Sequence, residues 1–378
     1  MLQGLLTTQV TCAQATKDSS VKFMQQLSYP QVATQIHPQT VGDKVVFDSP
    51  ERINQPDEID LQIAEEMLAI RQHVSIGNSA TGEWDWINRN KRSSFLRAVA
   101  EGDRNSLALL MCNLFRGDAS FGIVTGSFDG LRIREKRLEL ENNVLLDLDT
   151  WSELTDQSDV SQLHLKPEWG NPFGAVIDGG LIAPDTPRHD YFAVRTLHLA
   201  QSEGTPCPAI LEIGGGYGGM ALQIVRRSGA VAYIDCDLPE TLLVAYYFLR
   251  KSCGKAVRWA FDGVQQKDLM PGAIILVPAE VVGRVACDVR VVFNSNSLSE
   301  MAKTTVEGYF DFVNRLGPKH IYHQNSNFLL FPKSVRHIEV LARDFPIDRS
   351  IYSEIYRSIA PWQTAGGRYR EFLFTRRP

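Results

Sequence analysis

The sequence predicts a doubly wound α/β domain behind a mostly helical N-terminal region. Short apolar runs alternate with amphipathic helical segments after residue 208, and a glycine-rich turn joins the first run to the first of these helices. Segments before residue 150 show helical periodicity instead. Alternating strands and helices are typical of a parallel sheet covered on both faces. The 378 residues accommodate two units, for which we predict the ranges 1–165 and 166–378.

Helical periodicity begins at Ile59. The residues before it are polar and contain several prolines, and they include one predicted helix at residues 19–27. LQIAEEMLAIRQH places its apolar side chains close to one helical stripe. Two further segments, EWDWINRNKRSSFLRAVAEGD and NSLALLMCNLFRG, predict a helical hairpin that turns at Gly102–Asp103. We expect this helical region to form part of a substrate lid or the surface of a homodimer.

The α/β region opens with a connector in which Asp178-Gly179-Gly180 predicts a small β-hairpin. Helices are predicted at 217–229, 239–254 and 304–317. Seven strands are predicted, at 209–215, 231–237, 256–261, 273–278, 288–294, 319–325 and 368–376. The last strand alternates like an edge strand, and we expect it to run antiparallel to the others.

Composition excludes several classes of protein. With 44% apolar and 22% charged residues, the chain is neither disordered nor collagen-like nor a disulfide scaffold. A net charge of −5 provides no overall basic field for nucleic acid or anionic lipid. The cysteines are scattered, the first residues do not resemble a signal peptide, and no apolar run approaches ~18 residues. These observations predict a cytoplasmic protein that does not bind membranes.

The strongest motif is the glycine-rich turn in LEIGGGYGG, residues 211–219. Glycine permits positive φ, and the following helix N-terminus presents unpaired N–H groups to a nucleotide-like ligand. Asp237 ends the next predicted strand, where a carboxylate can bind both hydroxyls of a ribose. The predicted ligand contacts here are Gly214, Gly215, Gly216, Tyr217, Gly218, Asp237 and Leu238.

Two cofactor classes compete for this turn. Gly214, Gly216 and Gly219 satisfy the GxGxxG pattern of nicotinamide and flavin dinucleotides. Glu212 together with Gly214, Gly216 and Gly218 also satisfies ExGxGxG, the pattern for S-adenosylmethionine (SAM). A carboxylate at Glu212 suits the ammonium group of SAM and opposes a pyrophosphate. The sequence therefore favours SAM over a dinucleotide or a purely structural turn.

These residues resemble a known family. LEIGGGYGGMALQIV, YIDCDLPETLLVAYYFL and VVFNSNSLSEM, with GNPFG and HDYFAVRTL upstream, are similar to the bacterial sugar O-methyltransferases over about residues 165–330. The resemblance implies a class I methyltransferase fold with a seven-strand sheet, SAM as methyl donor and S-adenosylhomocysteine (SAH) as product. It also implies a sugar or another small hydroxylated acceptor. NSNSLSEM departs from the family pattern, so the acceptor side is expected to differ.

O-methylation requires a base that removes the acceptor's proton at the carboxyl ends of the strands. We predict His323 as this base, with a hydrogen-bonded structural histidine as the alternative. Asn296 and Glu300 are expected to bind substrate hydroxyls, unless they serve only as helix-capping and first-turn residues. The remaining predicted cofactor contacts are Asn294, Ser295, Pro278, Arg188 and Tyr191.

No carboxylate set with metal-ligand character follows the strands, so we expect a reaction without a metal. Three other functions stay open at this point. The chain could methylate carbon or nitrogen of a natural-product scaffold, act as a NAD(P)-dependent oxidoreductase, or bind SAM without turnover. The sequence determines neither the acceptor nor the oligomeric state.

Overall fold

The computed structural model describes residues 46–48, 52–77, 80, 83–124, 137–201, 207–328, 339–362 and 367–378. The predicted helix at residues 19–27 lies outside these ranges. Within them, the strands form one eight-stranded and one three-stranded sheet. No described helix is both long and apolar enough to cross a bilayer.

The front of the chain is helical, as predicted. Its helices are α1 (Glu58–Ile70), α2 (Glu83–Asn90), α3 (Ser93–Glu101), α4 (Arg104–Met111) and α5 (Arg137–Thr155). Helix α1 starts with a capping box between Asp57 and Asp60 and buries Ile63, Ala64 and Met67. The predicted long helix is divided at Arg92, while Gly102 (φ 72°) and Asp103 form the predicted turn before α4.

A small antiparallel sheet joins one strand before the helical front with two strands that follow it along the chain. It contains β1 (Val46–Asp48), β2 (Gly174–Ile177) and β3 (Gly180–Ile182) in that order. Asp178 and Gly179 both have positive φ, 50° and 78°, as a two-residue type I′ turn requires. The predicted hairpin is therefore confirmed.

The large sheet has eight strands rather than the seven predicted. Its order is β6-β7-β5-β4-β8-β9-β11-β10, and β11 runs in the direction opposite to the other seven described strands. The strands are β4 (Ala209–Ile213), β5 (Ala232–Asp237), β6 (Val257–Trp259), β7 (Ile274–Pro278), β8 (Val289–Ser295), β9 (His320–Ser326), β10 (Tyr352–Ile359) and β11 (Tyr369–Arg376).

Strand β10 is the one that the sequence did not predict. It lies at the edge of the sheet and is mostly solvent-exposed, so it lacks the apolar pattern of a buried strand. Its presence places β11 inside the sheet, which corrects the prediction that β11 is an edge strand. The predicted antiparallel direction of β11 is confirmed.

Helices cover both faces of the large sheet. Helices α6 (Thr186–Ala200), α7 (Gly219–Arg227) and α8 (Pro239–Cys253) share one buried apolar cluster with the helical front. Helix α9 (Lys303–Leu316) packs on the opposite face. Side chains of each strand alternate between the two clusters. This doubly wound arrangement, with one reversed strand next to the last, is the predicted class I methyltransferase fold; the division of the chain at residue 165 stays a prediction.

Candidate functional site

The polar residues of the site lie at the carboxyl edge, where the parallel strands of the large sheet end. Strand register pairs Asp237 with Pro278 on one side of the sheet. On the other side, Gln324 pairs with both Ser295 and Glu371. The glycine loop (residues 214–219) follows β4 between these two groups. Ligands of open α/β sheets bind at this edge, next to the point where strand order reverses.

The glycine loop depends on its glycines in two ways. Gly214, Gly216 and Gly218 have φ of 78°, 62° and 86°, a region that other residues rarely adopt. A Cβ atom on Gly214 would lie 2.1 Å from Ser297 Oγ, and one on Gly218 would lie 2.7 Å from Leu249 Cδ1. At Gly216 the nearest atom would be 3.7 Å away, so this position leaves room beside the backbone.

Two carboxyl groups of β5 accept hydrogen bonds from backbone N–H groups of the glycine loop. Asp235 Oδ1 accepts a hydrogen bond from the Gly215 N–H (3.2 Å). Asp237 Oδ2 accepts one from the Gly216 N–H (3.0 Å), and its Oδ1 accepts another from the Leu238 N–H (2.7 Å). These bonds place the predicted ribose-binding residue, Asp237, directly against the loop.

Glu212 adds a third carboxyl group next to Asp235, its register partner on β5. The Tyr233 hydroxyl donates to Glu212 Oε2. Burial raises the pKa of Glu212 well above its usual value, and the charges of Asp235 and Asp237 raise it further. Burial likewise raises the pKa of Asp235 well above normal.

The Asp237 carboxyl group is half-buried, and burial raises its pKa to about 7 although the two N–H bonds act in the opposite direction. Asp235 Oδ2 is buried and has no hydrogen-bond partner in the structure. We call Glu212, Asp235 and Asp237 the acidic cluster. Like charges in a buried site repel one another, so the cluster favours a cationic or hydrogen-donating ligand.

An arginine of the helical front lies behind this site. Arg92 is fully buried and donates to Thr241 Oγ1 (3.2 Å) and to the Glu240 carbonyl (3.4 Å) at the start of α8. Its charge partly offsets the raised pKa of Asp237. The sequence analysis missed this residue because a contact across about 150 residues leaves no local pattern.

Tyr217 and Arg188 lie beside the loop but have other partners. The Tyr217 ring packs edge-to-face on Phe115 and Phe248, with centroids 5.1 and 5.0 Å apart, so its side chain belongs to the core. Arg188 Nη2 donates to Asp185 Oδ1 (2.7 Å) at the start of α6. Its predicted contact with the SAM carboxylate stays a prediction.

Asn294 does not face the cofactor side of the sheet, contrary to the prediction. Its Nδ2 donates to the Ile213 carbonyl and to Ser297 Oγ, both at 2.6 Å, and its Oδ1 accepts from Asn325 Nδ2 (2.6 Å). Side chains alternate along β8, so Asn294 supports the glycine loop from the α9 face.

His323 is also not placed as predicted. Its ring is 1% exposed and stacks on Phe372, with centroids 4.8 Å apart, next to Phe345. Burial lowers the pKa of His323 to about 3. The ring points into the apolar cluster beneath α9, out of reach of a ligand at the carboxyl edge, so the structure does not support a role as base.

The loop after β8 holds the other predicted acceptor contacts. Asn296 has a positive φ of 69° and accepts from Gln324 Nε2 through its Oδ1 (3.3 Å). Glu300 is half-buried at the end of the 3-10 turn Ser297–Glu300. Ser295 is half-buried and, by strand alternation, faces the same side as Asp237.

Tyr191 contacts a residue that the sequence analysis did not select. Its hydroxyl donates to Glu371 Oε2 (3.1 Å) on β11, and its predicted contact with SAM stays a prediction. Glu371 faces the same cluster as Tyr369 and Leu373, two residues away on either side. A charged residue at an inward position of RYREFLFTR was the signal that could have identified it.

Among the residues that the structure describes, no group of three or more His, Cys, Asp or Glu side chains is arranged to hold a metal ion.

The chain matches no protein-family profile and no curated protein sequence. It is similar to the N-methyltransferase NodS from Bradyrhizobium japonicum WM9 in complex with SAH (14% identity, 62% of this chain and 100% of that one, TM-score 0.35). It is also similar to magnesium protoporphyrin IX methyltransferase ChlM from Synechocystis PCC 6803 with bound SAM (10% identity, 64% and 97%, TM-score 0.34). The small RNA methyltransferase HEN1 is similar at 14% identity over 50% of this chain and 25% of that one, with a TM-score of 0.35.

Proposed function

We propose that the protein is a SAM-dependent methyltransferase. The observation that carries this proposal is the acidic cluster beneath a glycine loop. SAM brings a sulfonium and an ammonium group, both cationic, whereas a dinucleotide brings an anionic pyrophosphate. Three carboxyl groups at one buried site attract the first ligand and repel the second.

The residues around the loop fit the parts of SAM. Asp237 binds the ribose hydroxyls, because each carboxylate oxygen keeps a lone pair beyond its N–H bond. Glu212 and Asp235 stabilise the ammonium end, and Leu238 and Pro278 border the adenine. SAM supplies a methyl group on a good leaving group, so the protein must orient the acceptor and remove its proton.

The acceptor that we propose is a sugar or a small hydroxylated metabolite, methylated on oxygen. This part rests on the resemblance of the motifs to sugar O-methyltransferases. Methylation of carbon or nitrogen is the alternative, and it would not require a strong base.

Calorimetric titration with SAH, and separately with NAD⁺ and NADP⁺, tests the cofactor. We expect SAH to bind and both dinucleotides to give no heat of binding. Binding of a dinucleotide without SAH would contradict the proposal and would mean that Glu212 does not select the ligand.

The raised pKa of Asp237 predicts that SAM binding strengthens as pH rises. Below about pH 7 the carboxyl group is protonated in the free protein, and the cationic ligand favours its ionised form. Binding must then release a proton, and we expect the Kd for SAM to fall about tenfold between pH 6 and pH 8. Calorimetry in two buffers with different ionisation heats measures the released protons.

The matched control is Asp237→Asn, which removes the titrating group and should flatten the pH dependence. A Kd that rises with pH, or proton uptake on binding, would show that the acidic cluster does not act as described.

A further inference from the structure

Glu371 is a buried carboxyl group that the fold alone does not saturate. It is 2% exposed, and its Oε2 accepts hydrogen bonds from the hydroxyls of Tyr191 (3.1 Å) and Tyr322 (3.2 Å). Its Oε1 is buried and has no hydrogen-bond partner among the residues that the structure describes. An unpartnered buried carboxylate oxygen is costly, and native proteins usually satisfy such atoms.

Two neighbouring side chains have the same property. Gln324 is the register partner of Glu371, and its Oε1 is buried without a hydrogen-bond partner in the described part of the chain. Trp362 packs against Tyr191, with ring centroids 5.1 Å apart, and its Nε1 is likewise buried without a partner there. The cluster thus offers two acceptors and one donor, the combination that several hydroxyl groups of one ligand can satisfy together.

A single cation balances the charge of this cluster. Arg195 Nη2 donates to the Tyr356 hydroxyl (2.5 Å), and its guanidinium lies over the rings of Tyr191 and Tyr322 at 5.7 and 5.8 Å. Burial raises the pKa of Glu371, while Arg195 and the surrounding hydroxyls act in the opposite direction. The charged and titratable groups that face Glu371 are Tyr191 and Arg195 on α6, Tyr322 on β9 and Tyr356 on β10.

The position of Glu371 fits an acceptor rather than the cofactor. Strand register places it level with Gln324 and Ser295 at the carboxyl edge. It lies four strands from Asp237, about 19 Å at ~4.8 Å per strand, with the glycine loop between them. A ligand here and a cofactor on Asp237 would therefore approach each other over the strands that lie between them, β4, β8 and β9.

We propose that Glu371, Gln324 and Trp362 form the subsite for a neutral polyhydroxylated acceptor, and that Glu371 Oε1 takes the proton of the reacting hydroxyl. This proposal rests on the proposed function. In the step, a bond forms between the acceptor oxygen and the methyl carbon as the carbon–sulfur bond breaks. The sulfur keeps the electron pair, which leaves SAH, and the hydroxyl proton moves to Glu371.

Binding is tested first, with three neutral probes: methyl α-D-glucopyranoside, methyl α-D-galactopyranoside and methyl α-L-rhamnopyranoside. Saturation-transfer NMR should detect at least one of them on the wild-type protein, with and without SAH. We expect Glu371→Gln to weaken that binding about tenfold or more, since a charge-assisted hydrogen bond is lost. The matched control is Glu354→Gln on the neighbouring strand β10, where the side chain is exposed and binding should not change.

Trp362→Phe keeps an aromatic ring at this buried position but removes the N–H donor together with part of the indole. It provides a second test if Glu371→Gln does not fold, and thermal unfolding checks that the smaller ring leaves the fold intact. Binding should weaken about fivefold to tenfold, as expected for one neutral hydrogen bond. If no probe binds the wild-type protein, or if neither variant weakens binding, the proposal is wrong.

Turnover with the probe that binds tests the role as base. We expect Glu371→Gln to lower kcat about 10²-fold or more, with an unchanged KM for SAM, and to abolish the acidic limb of the pH profile. A purely structural role would change thermal stability and leave the shape of the pH profile intact. A probe that binds to the subsite but is not methylated by the wild-type protein would overturn the role as base.

The two proposals fail separately. Glycoside binding does not require SAM, so a protein that binds a glycoside through Glu371 but not SAH would contradict the proposed function and the role of Glu371 as base, and would leave the binding subsite standing. A protein that binds SAH and none of the probes would contradict only the subsite.

Discussion

Asp237→Ala is expected to weaken SAH binding by about 10²-fold to 10⁴-fold, because two charge-assisted hydrogen bonds to the ribose are lost at about 1.5–3 kcal/mol each. The substitution also frees the Gly216 N–H, which Asp237 Oδ2 holds at 3.0 Å. The loop would lose one of the two hydrogen bonds that connect it to carboxyl groups of β5, and the bond from the Gly214 N–H to the Cys236 carbonyl would remain. Calorimetric titration with SAH measures the effect.

The control for this variant is Asp262→Ala. Asp262 lies in the turn after β6, and its side chain is fully exposed. Its replacement should leave the Kd for SAH unchanged. Equal affinity of Asp237→Ala and wild type would exclude Asp237 as the ribose ligand.

Stability separates a role in binding from a role in folding. Asp237→Ala removes two backbone hydrogen bonds but also relieves repulsion from Asp235 and Glu212. Because these effects oppose each other, we expect the free energy of unfolding to change by less than about 2 kcal/mol. A much larger loss in a denaturant titration would show that Asp237 is mainly structural.

Asp190→Ala is expected to lower the free energy of unfolding by about 3–5 kcal/mol, the usual cost of breaking a buried ion pair. Asp190 is fully buried, and its Oδ1 and Oδ2 accept from Arg227 Nε (2.6 Å) and Nη2 (2.5 Å). Oδ2 also accepts from Trp151 Nε1 (2.7 Å). The substitution leaves a mostly buried guanidinium and an indole N–H without this partner, at the junction of α5, α6 and α7.

Denaturant unfolding monitored by fluorescence and circular dichroism measures this loss. The matched control is Asp85→Ala, which breaks an ion pair with Arg89 whose side chains are 37% and 75% exposed. Exposed pairs contribute about 0–1 kcal/mol, so this variant should unfold nearly as wild type does. A loss below about 1 kcal/mol for Asp190→Ala would mean that the junction does not depend on this ion pair.

Features that depend on neighbouring residues were predictable from the sequence. The alternation of strands and helices, the turn at Asp178–Gly179 and the glycine loop each follow from local backbone and side-chain preferences. The face of the sheet to which a strand residue points also follows from the sequence, because side chains alternate along a strand. The sequence analysis did not apply this rule to Asn294 or His323. Alternation over residues 291–294 of β8 and 321–323 of β9 places both on the α9 face, opposite to Asp237.

Strand β10 shows a limit of local pattern. An exposed edge strand needs no apolar face, so its residues resemble a loop in sequence. Its hydrogen bonds with β11 become visible only once the sheet is assembled.

The sequence alone determined the fold class and the loop, because glycine conformations and the period of apolar residues act over a few positions. The tertiary structure decided which buried polar groups meet. Tyr191 and Glu371 are 180 residues apart, and Arg92 and Glu240 are 148 residues apart. Such contacts depend on strand order and helix packing, which bring distant residues into one buried site without any repeat or spacing in the chain.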